Sequence, residues 1–206
     1  MGDTAAKSTV RAWLLQRRSA LSPDVCADAS RRVLGELIAA VAGRFGGSAP
    51  TVAAYVPFGS EPGGQDLPEA LYLIGARVLL PVLRPDNDLD WAEYTGELIR
   101  TPRGLREPAG PMLGVGAIAE ADLLVVPAVA VDRHGVRLGR GGGSFDRALD
   151  RVRAGAPVVA LLHDGELVDA LPAEAHDRLV SAVITPSGGW CDLPDIGRSA
   201  GRSGGR

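Results

Sequence analysis

The sequence predicts an α/β domain, a three-layer, Rossmann-like structure whose mainly parallel sheet is flanked by helices on both faces. Short apolar runs typical of buried strands recur along the chain, and segments with helical spacing of apolar residues lie between them. Glycine-rich loops follow two of these runs, as is common where parallel strands lead into helices. The chain has 206 residues, of which 46% are hydrophobic, so one domain with a sizeable core is expected.

The first forty residues are predicted to form two helices. Val10, Trp13, Leu14 and Arg17 follow a spacing of three or four residues, which indicates the first helix. Ser22-Pro23-Asp24 then interrupts the chain and starts the second helix, because proline is suited to a first helical turn. The apolar stripe of the second helix comprises Val33, Leu34, Leu37, Ile38 and Val41.

Buried strands are predicted from runs of apolar and β-branched residues. These runs are residues 51–56, 77–82, 123–126, 158–162 and 180–185. The last run is expected to be the final strand. A short helix is predicted over residues 67–74, and an edge or antiparallel strand over residues 89–94. Because ligands of such sheets bind beyond the carboxyl ends of strands, the loops that follow the first and third runs are the candidate sites.

The domain is expected to cover residues 1–190, followed by a disordered tail over residues 191–206, which ends in glycine, arginine and serine. No apolar run is long enough to cross a membrane, and the N-terminus lacks the apolar segment of a signal peptide. Neither the two cysteines nor the three histidines have metal-ligand spacing. We therefore expect a cytoplasmic protein, taken to be a monomer, with no membrane partner.

The most informative segment is Leu138–Arg147, which holds four glycines, two arginines and one aspartate. A backbone without side chains can approach a ligand closely and surround an anion with its N–H groups. Between Val131 and Arg153 there are six arginines and three aspartates, in a chain whose net charge is −3. A local positive charge on an acidic protein favours a small anionic ligand, such as a nucleotide phosphate, over a nucleic acid.

This loop matches neither common nucleotide-binding fingerprint. Counting G-x-G-x-x-G from Gly139 places Ser144 where the third glycine belongs. A P-loop ends in Gly-Lys-Ser/Thr, and this segment contains no lysine. The structural alternative is a glycine-rich turn in which Asp146 caps the next helix.

Other candidate residues lie outside the glycine loop. Glu61 is the single carboxylate of a loop of small residues, where it could bind a polar heterocycle or belong to an exposed turn. Trp91 and Tyr94 could stack on such a ring or pack as strand aromatics. Lys7 and Arg11 lie one helical turn apart. They could reach phosphate if their helix packs near the glycine loop, or they could form a solvated pair.

The chain resembles the 5-formyltetrahydrofolate cyclo-ligase family, whose members are also called methenyltetrahydrofolate synthetases. The matching segments are residues 126–132, 135–143 and 146–147 at the loop, Lys7 and Arg11, residues 55–61, 79–82 and 104–108, and Leu171-Pro172 with His176-Asp177. They follow one another in order. The long arginine–glycine segment is specific, whereas each of the others is a weak signal alone.

The resemblance implies ATP-dependent ring closure. Members of the family convert 5-formyltetrahydrofolate to 5,10-methenyltetrahydrofolate, release ADP and phosphate, and require Mg²⁺. ATP phosphorylates the formyl oxygen, the folate N10 attacks the activated carbon, and phosphate leaves. The protein's task in such a reaction is to align the reacting groups and neutralise charge.

The resemblance also implies roles for individual residues. The ATP contacts would be Lys7, Arg11, Arg137, Leu138, Gly139, Arg140, Gly141, Gly142, Gly143, Ser144 and Phe145. The reduced folate would be bound by Tyr55, Glu61, Arg140, Gly141, Gly142, Gly143 and Ser144. Arg140 and Asp146 would be the catalytic pair, because Arg140 would stabilise the moving phosphoryl group and Asp146 would hold Mg²⁺.

The chain departs from the family pattern at several positions. Ser144 and Phe145 stand where many members have two tyrosines, and Ser181 aligns with an aspartate that serves as a second Mg²⁺ ligand. Glu166 stands where a glutamine is common, and Pro62-Gly63-Gly64 replaces a run that ends in threonine. Two alternatives therefore stay open. One is a folate- or nucleotide-binding protein with little turnover, and the other is an ATP-dependent enzyme that acts on another heterocycle.

Overall fold

A computed structural model describes residues 2–102, 104–174 and 177–194. The helices are α1 (Gly2–Ser19), α2 (Pro23–Phe45), α3 (Leu67–Leu73) and α4 (Ser144–Leu149), with a 3₁₀ helix at Val115–Glu120. The strands are β1 (Thr51–Ala53), β2 (Arg77–Leu83), β3 (Leu89–Glu93), β4 (Leu98–Arg100), β5 (Arg106–Pro108), β6 (Leu123–Val126), β7 (Ala130–Asp132), β8 (Arg137–Leu138), β9 (Val158–Leu161), β10 (Leu167–Val168), β11 (Ala182–Thr185) and β12 (Gly189–Asp192). Among these residues, no helix is long and apolar enough to cross a bilayer.

The central sheet has the strand order β12-β11-β9-β6-β1-β2-β3. All neighbours from β11 to β2 are parallel, and the antiparallel strands β12 and β3 lie at the two edges. The alternation of strands and helices in the sequence requires crossover connections, and such connections produce parallel strands. The predicted fold class is therefore confirmed.

Each face of this sheet buries a separate apolar cluster. Val52 and Leu123 pack with Leu37 of α2 on one face, while their chain neighbours Ala53 and Leu124 belong to the cluster on the other face. The alternation follows from the two-residue period of a strand. The 3₁₀ helix and α4 cover the second face. The two clusters give the predicted three layers.

The boundary between α1 and α2 lies where the sequence predicts it. The Ser22 hydroxyl accepts a hydrogen bond from the Val25 N–H at 3.3 Å, and Pro23 occupies the first turn of α2. The residues whose spacing indicated α1 differ in their burial. Leu14 is buried, but Trp13 is 53% exposed and lies against the Arg17 guanidinium. The buried cation of α1 is Arg18.

The structure also corrects the strand predictions. β1 ends at Ala53 rather than at residue 56. The run at residues 180–185 is not the last strand, because β12 follows it and pairs with it. Cys191 and Asp192, which were assigned to the tail, belong to β12, and residues 195–206 lie outside the described part. A four-residue edge strand that begins with glycine has too little apolar pattern to be recognised.

Two small sheets were missed altogether. One has the order β10-β7-β8, and the other is the hairpin of β4 and β5. Their strands have two or three residues each, which is shorter than the window in which alternation can be detected. Both matter for function, because β8 leads into the glycine loop and the hairpin borders the same cavity.

Candidate active site

A cavity of about 720 Å³ lies beyond the carboxyl ends of β1, β2 and β6. Pro57, Leu83 and Pro127, which end or follow these strands, all line it. A cavity of this volume at this edge of a parallel sheet is typical of ligand sites. The residues to which the family resemblance assigned contacts with ATP, folate or Mg²⁺ all line this one cavity. The structure thus brings the predicted residues together, while their roles stay predictions.

The glycine loop runs from the end of β8 to the start of α4. Gly141 and Gly143 have φ angles of 102° and 67°, a region that favours glycine over residues with a side chain. Gly139 has a different reason to be glycine, since a Cβ there would lie 2.9 Å from the Arg137 Nη1. The N-cap of α4 is Gly143, and no side chain caps this helix. The structural alternative in which Asp146 is the cap is therefore wrong.

Helix α1 packs against this loop. The Arg11 Nε donates a hydrogen bond to the Gly139 carbonyl at 2.7 Å, and its guanidinium covers Gly141. Lys7, one turn earlier, donates to Asp177 at 2.7 Å and to Glu174 at 3.0 Å. Burial alone lowers the pKa of Lys7, but the hydrogen bonds to these carboxylates outweigh it, so the pKa lies above its ordinary value. Lys7 therefore stays charged.

Two ion pairs connect the loop to its surroundings. Arg137 is buried and donates to Asp146, while its Nη1 also donates to the Pro127 carbonyl at 3.2 Å. The Arg140 Nε donates to the Glu61 Oε1 at 2.8 Å. Glu61 is only 8% exposed, so the alternative of an exposed turn is wrong for this residue. The pair of Arg140 and Glu61 joins the two loops that the sequence proposed separately.

Comparison with known proteins now decides the family. The model of the 5-formyltetrahydrofolate cyclo-ligase family matches residues 3–186. This chain belongs to the 5-formyltetrahydrofolate cyclo-ligase family. It is 44% identical over 191 residues to the 5-formyltetrahydrofolate cyclo-ligase of Mycolicibacterium smegmatis, covering 89% of this chain and 95% of that protein. The enzyme of the same name from Escherichia coli is 38% identical over 147 residues, covering 69% of this chain and 81% of that protein.

Solved structures agree with this family. The NMR structure of Aquifex aeolicus 5,10-methenyltetrahydrofolate synthetase superimposes with a TM-score of 0.72 at 26% identity and covers 97% of this chain and 96% of its own. A 5,10-methenyltetrahydrofolate synthetase from Mycoplasma pneumoniae gives a TM-score of 0.69 at 21% identity, covering 86% of this chain and 96% of its own, and it supports the fold alone. The resemblance seen in the sequence is confirmed.

In this cyclo-ligase family member, hydrogen bonds that involve buried side chains hold the Glu61 loop. The Tyr55 hydroxyl donates to the Pro62 carbonyl at 2.6 Å, and burial raises the pKa of Tyr55 well above its ordinary value. Glu61 itself accepts a hydrogen bond from the Phe58 N–H at 2.9 Å. The His163 Nε2 hydrogen-bonds to the Ser60 carbonyl at 2.8 Å, so this nitrogen carries the proton. These contacts fix the conformation of the loop.

Sequence reasoning missed the ion pair behind this loop. The Arg18 guanidinium donates to both Glu166 oxygens at 2.8 and 2.7 Å, and Glu166 also accepts from the His163 N–H at 2.8 Å. Both side chains of the pair are buried. One signal was available, since Glu166 replaces the glutamine that is common in the cyclo-ligase family. A carboxylate at such a position calls for a buried cation.

The two aromatic residues proposed to stack on a heterocycle do not line the cavity. Trp91 is buried and packs edge-on against Phe145, with ring centroids 6.5 Å apart. The Tyr94 hydroxyl donates to Glu69 at 2.8 Å, and burial with this contact raises the pKa of Tyr94 to about 12. The aromatic side chain at the cavity that is exposed is Phe58, 6.0 Å from the Arg140 guanidinium. That residue was missed as a stacking candidate.

The serine that aligns with the family's second Mg²⁺ ligand lies away from the cavity. Ser181 precedes β11 at the amino end of the parallel strands, and its hydroxyl bonds to the Val158 backbone. The cavity lies at the opposite edge, so Ser181 is not among its lining residues. Asp177, four residues earlier, does line it together with Asp146. Within the described residues, no three acidic, histidine or cysteine side chains form a metal cluster.

Proposed function

We propose that this protein closes the ring of 5-formyltetrahydrofolate to give 5,10-methenyltetrahydrofolate, using ATP and Mg²⁺ and releasing ADP and phosphate. Family membership and relatives that carry this enzyme's name support the conversion. The observation that carries the finer proposal is the contact between Arg140 and Glu61. It supports the proposal because the glycine loop proposed for phosphate and the acid proposed for the heterocycle meet in one cavity, as a reaction between ATP and a folate requires.

The chemistry sets what the residues must do. The formyl oxygen is a poor leaving group, so the γ-phosphoryl group of ATP is first transferred to it and ADP is released. The folate N10 then attacks the formyl carbon and gives up its proton to solvent, the bond from carbon to the phosphorylated oxygen breaks, and phosphate carries that oxygen away. Neither step needs a nucleophile from the protein. Catalysis therefore consists of positioning and charge stabilisation.

Arg140 is the residue that we propose for the moving phosphoryl group. The Nε of Arg140 donates to Glu61, and its two Nη groups have no hydrogen-bond partner among the described residues. The side chain is half exposed to the cavity. Its two Nη groups are thus oriented by Glu61 and can donate to two phosphoryl oxygens at once. The neighbours Gly139 and Gly141 line the same cavity and bring no side chain of their own between Arg140 and a phosphate. Arg11 adds positive charge from α1, whereas the charge of Lys7 is paired with Asp177 and Glu174.

Asp146 is the residue that we propose for Mg²⁺. A carboxylate oxygen is the donor that this ion prefers, and one or two carboxylates with phosphate oxygens and water complete its usual shell. Arg137 holds one oxygen of Asp146, which orients the other. Asp177 lines the same cavity and is the second candidate ligand. When bound, Mg²⁺ would neutralise charge on the transferring phosphate.

Glu61 and Phe58 are the residues that we propose for the pterin part of the folate. Each oxygen of Glu61 already accepts one hydrogen bond, from Arg140 and from the Phe58 N–H. A carboxylate oxygen can accept two, so both can still accept from ring N–H groups. The exposed Phe58 ring offers a face for stacking.

The test is formation of the methenyl chromophore from 5-formyltetrahydrofolate, followed by absorbance with and without ATP and Mg²⁺. We expect product only with both. Asp146→Asn should reduce kcat about 10²–10³-fold, the usual effect of losing one electrostatic contact to a transition state. Asp150→Asn is the matched control, because Asp150 ends the same short helix, pairs with Arg178 at the surface and does not line the cavity.

Two results would refute the proposal. Tight binding of folate without ATP-dependent product would indicate a binding protein with little turnover. Equal activity of Asp146→Asn and Asp150→Asn would show that Asp146 does not hold the metal.

Arg140→Gln should lower kcat more than it raises the KM for ATP, because the proposed contact forms mainly in the transition state.

A further inference from the structure

The hairpin of β4 and β5 places two arginines side by side at the cavity. Arg100 and Arg106 are directly opposite each other in the antiparallel register, so their side chains project from the same face. Both line the cavity. Like charges in this arrangement destabilise a two-stranded sheet. The two charges therefore do not stabilise the hairpin itself.

The carboxylates of the cavity do not neutralise these arginines. Lys7, Arg137 and Arg140 each form an ion pair with a carboxylate. Among the described residues neither Arg100 nor Arg106 does so, and Arg106 instead donates to the neutral Gln65 side chain at 3.2 Å. The cavity therefore has two guanidinium groups next to each other that an anionic ligand could bind.

The one acid on the hairpin serves another purpose. Glu107 accepts a hydrogen bond from the Leu83 N–H at 3.1 Å, which fastens the hairpin to the end of β2. Leu98, at the same end of the hairpin as Glu107, packs against the core cluster that contains Tyr55. The two arginines are thus presented by an anchored support rather than by a free loop.

We infer that Arg100 and Arg106 form a subsite for the carboxylates of the substrate's glutamate tail, with the greatest effect on folates that carry several γ-linked glutamates. This inference rests on the proposed function. Reduced folate ends in a glutamate with two carboxylates, and each further γ-linked glutamate adds one more. Guanidinium groups bind carboxylates through two parallel hydrogen bonds. Two adjacent arginines match a chain of closely spaced carboxylates better than one isolated charge.

The experiment compares 5-formyltetrahydrofolate with one and with three glutamates, for which KM and kcat are measured in wild type, Arg100→Gln, Arg106→Gln and the double variant. We expect the double variant to raise the KM for the triglutamate about tenfold, the loss of one strong contact. The KM for the monoglutamate should rise less, and kcat and the KM for ATP should not change. The advantage of the triglutamate should also shrink at high salt, because these groups are exposed.

Two controls separate a subsite from a general charge effect. Arg31→Gln removes one charge from an exposed arginine of α2 that pairs with Asp28 outside the cavity, and should behave as wild type. The double lysine variant keeps both charges and should retain most of the preference for the triglutamate. The inference is overturned if the ratio of the KM for the monoglutamate to the KM for the triglutamate is the same in wild type and in the double glutamine variant. That result would leave the proposed function intact. No product from the wild type with either substrate overturns the proposed function, and the inference with it.

Discussion

Replacing Glu166 by alanine should destabilise the fold strongly, because it leaves a buried guanidinium without its counter-ion. Arg18 and Glu166 have side-chain exposures of 1% and 8% and share two parallel hydrogen bonds. After the substitution, the remaining acceptors for Arg18 are the Ala128 and Val129 carbonyls at 2.9 and 3.4 Å. The Arg18 Nη1 already has no partner within the described residues. Few hydrogen-bond acceptors therefore remain to replace the lost carboxylate oxygens.

The magnitude follows from this geometry. Removing one partner of a buried ion pair costs about 3–5 kcal/mol, because the other charge stays buried. The His163 N–H loses its acceptor as well, but that contact belongs to the same network and is not simply additive. For a domain of this size, about 3–5 kcal/mol corresponds to a fall in Tm of roughly 6–20 °C.

The assay is urea unfolding followed by circular dichroism, with the m-value checked for two-state behaviour. The informative comparison is Glu166→Ala with the double variant Arg18→Met, Glu166→Gln, which removes both charges. Because replacing a whole buried pair is often nearly neutral, the double variant should be more stable than Glu166→Ala. A loss below about 1 kcal/mol for Glu166→Ala, or a double variant less stable than the single one, would refute the reasoning.

Two other predictions concern single positions. Gly139→Ala should lower ATP-dependent turnover and reduce the free energy of unfolding by about 1–3 kcal/mol, because the new Cβ would meet the buried Arg137. As a control, Gly35→Ala has open space on an exposed position of α2 and should raise the free energy of unfolding by about 0.5–1 kcal/mol. Equal unfolding midpoints for the two variants would contradict this prediction. Asp88→Asn should make the free energy of unfolding fall less steeply as the pH is lowered into the acid range. Hydrogen bonds from Arg151 lower the pKa of Asp88, so its contribution is complete above its unfolded value of about 3.9 and is lost as pH falls through the lower folded value. Unfolding free energies of wild type and variant that stay equally far apart from pH 6 to pH 3 would exclude this role for Asp88.

Local chemistry explains what the sequence could predict. Ser22 and Pro23 determine where α2 begins, and the glycines after Leu138 specify a loop that approaches a ligand. Such signals need only a few neighbouring residues. Buried parallel strands are likewise recognisable from a single apolar run, because both faces of the sheet are covered. The fold class therefore followed from short segments, whereas the list of site residues followed from the family resemblance.

The parts that were missed depend on contacts between distant residues. Arg140 meets a partner 79 positions away, and Arg18 one that is 148 positions away, so no local pattern reports either pair. The location of Ser181 relative to the cavity could not be predicted for the same reason. Four positions along the chain separate it from Asp177, but the direction of the parallel strands puts Ser181 at one edge of the sheet and the cavity at the other. Sequence alignment alone does not contain that distinction.

The missed contacts explain how the site is kept in shape before any ligand arrives. Arg18 of α1 holds Glu166, whose neighbour His163 holds the Ser60 carbonyl beside Glu61. Glu61 in turn holds Arg140 of the glycine loop. The series begins among groups that are almost fully buried and ends at a half-exposed guanidinium. Rigid support at the buried end lowers the entropic cost of orienting the exposed one, and a transition state is best stabilised by donors that are already in place.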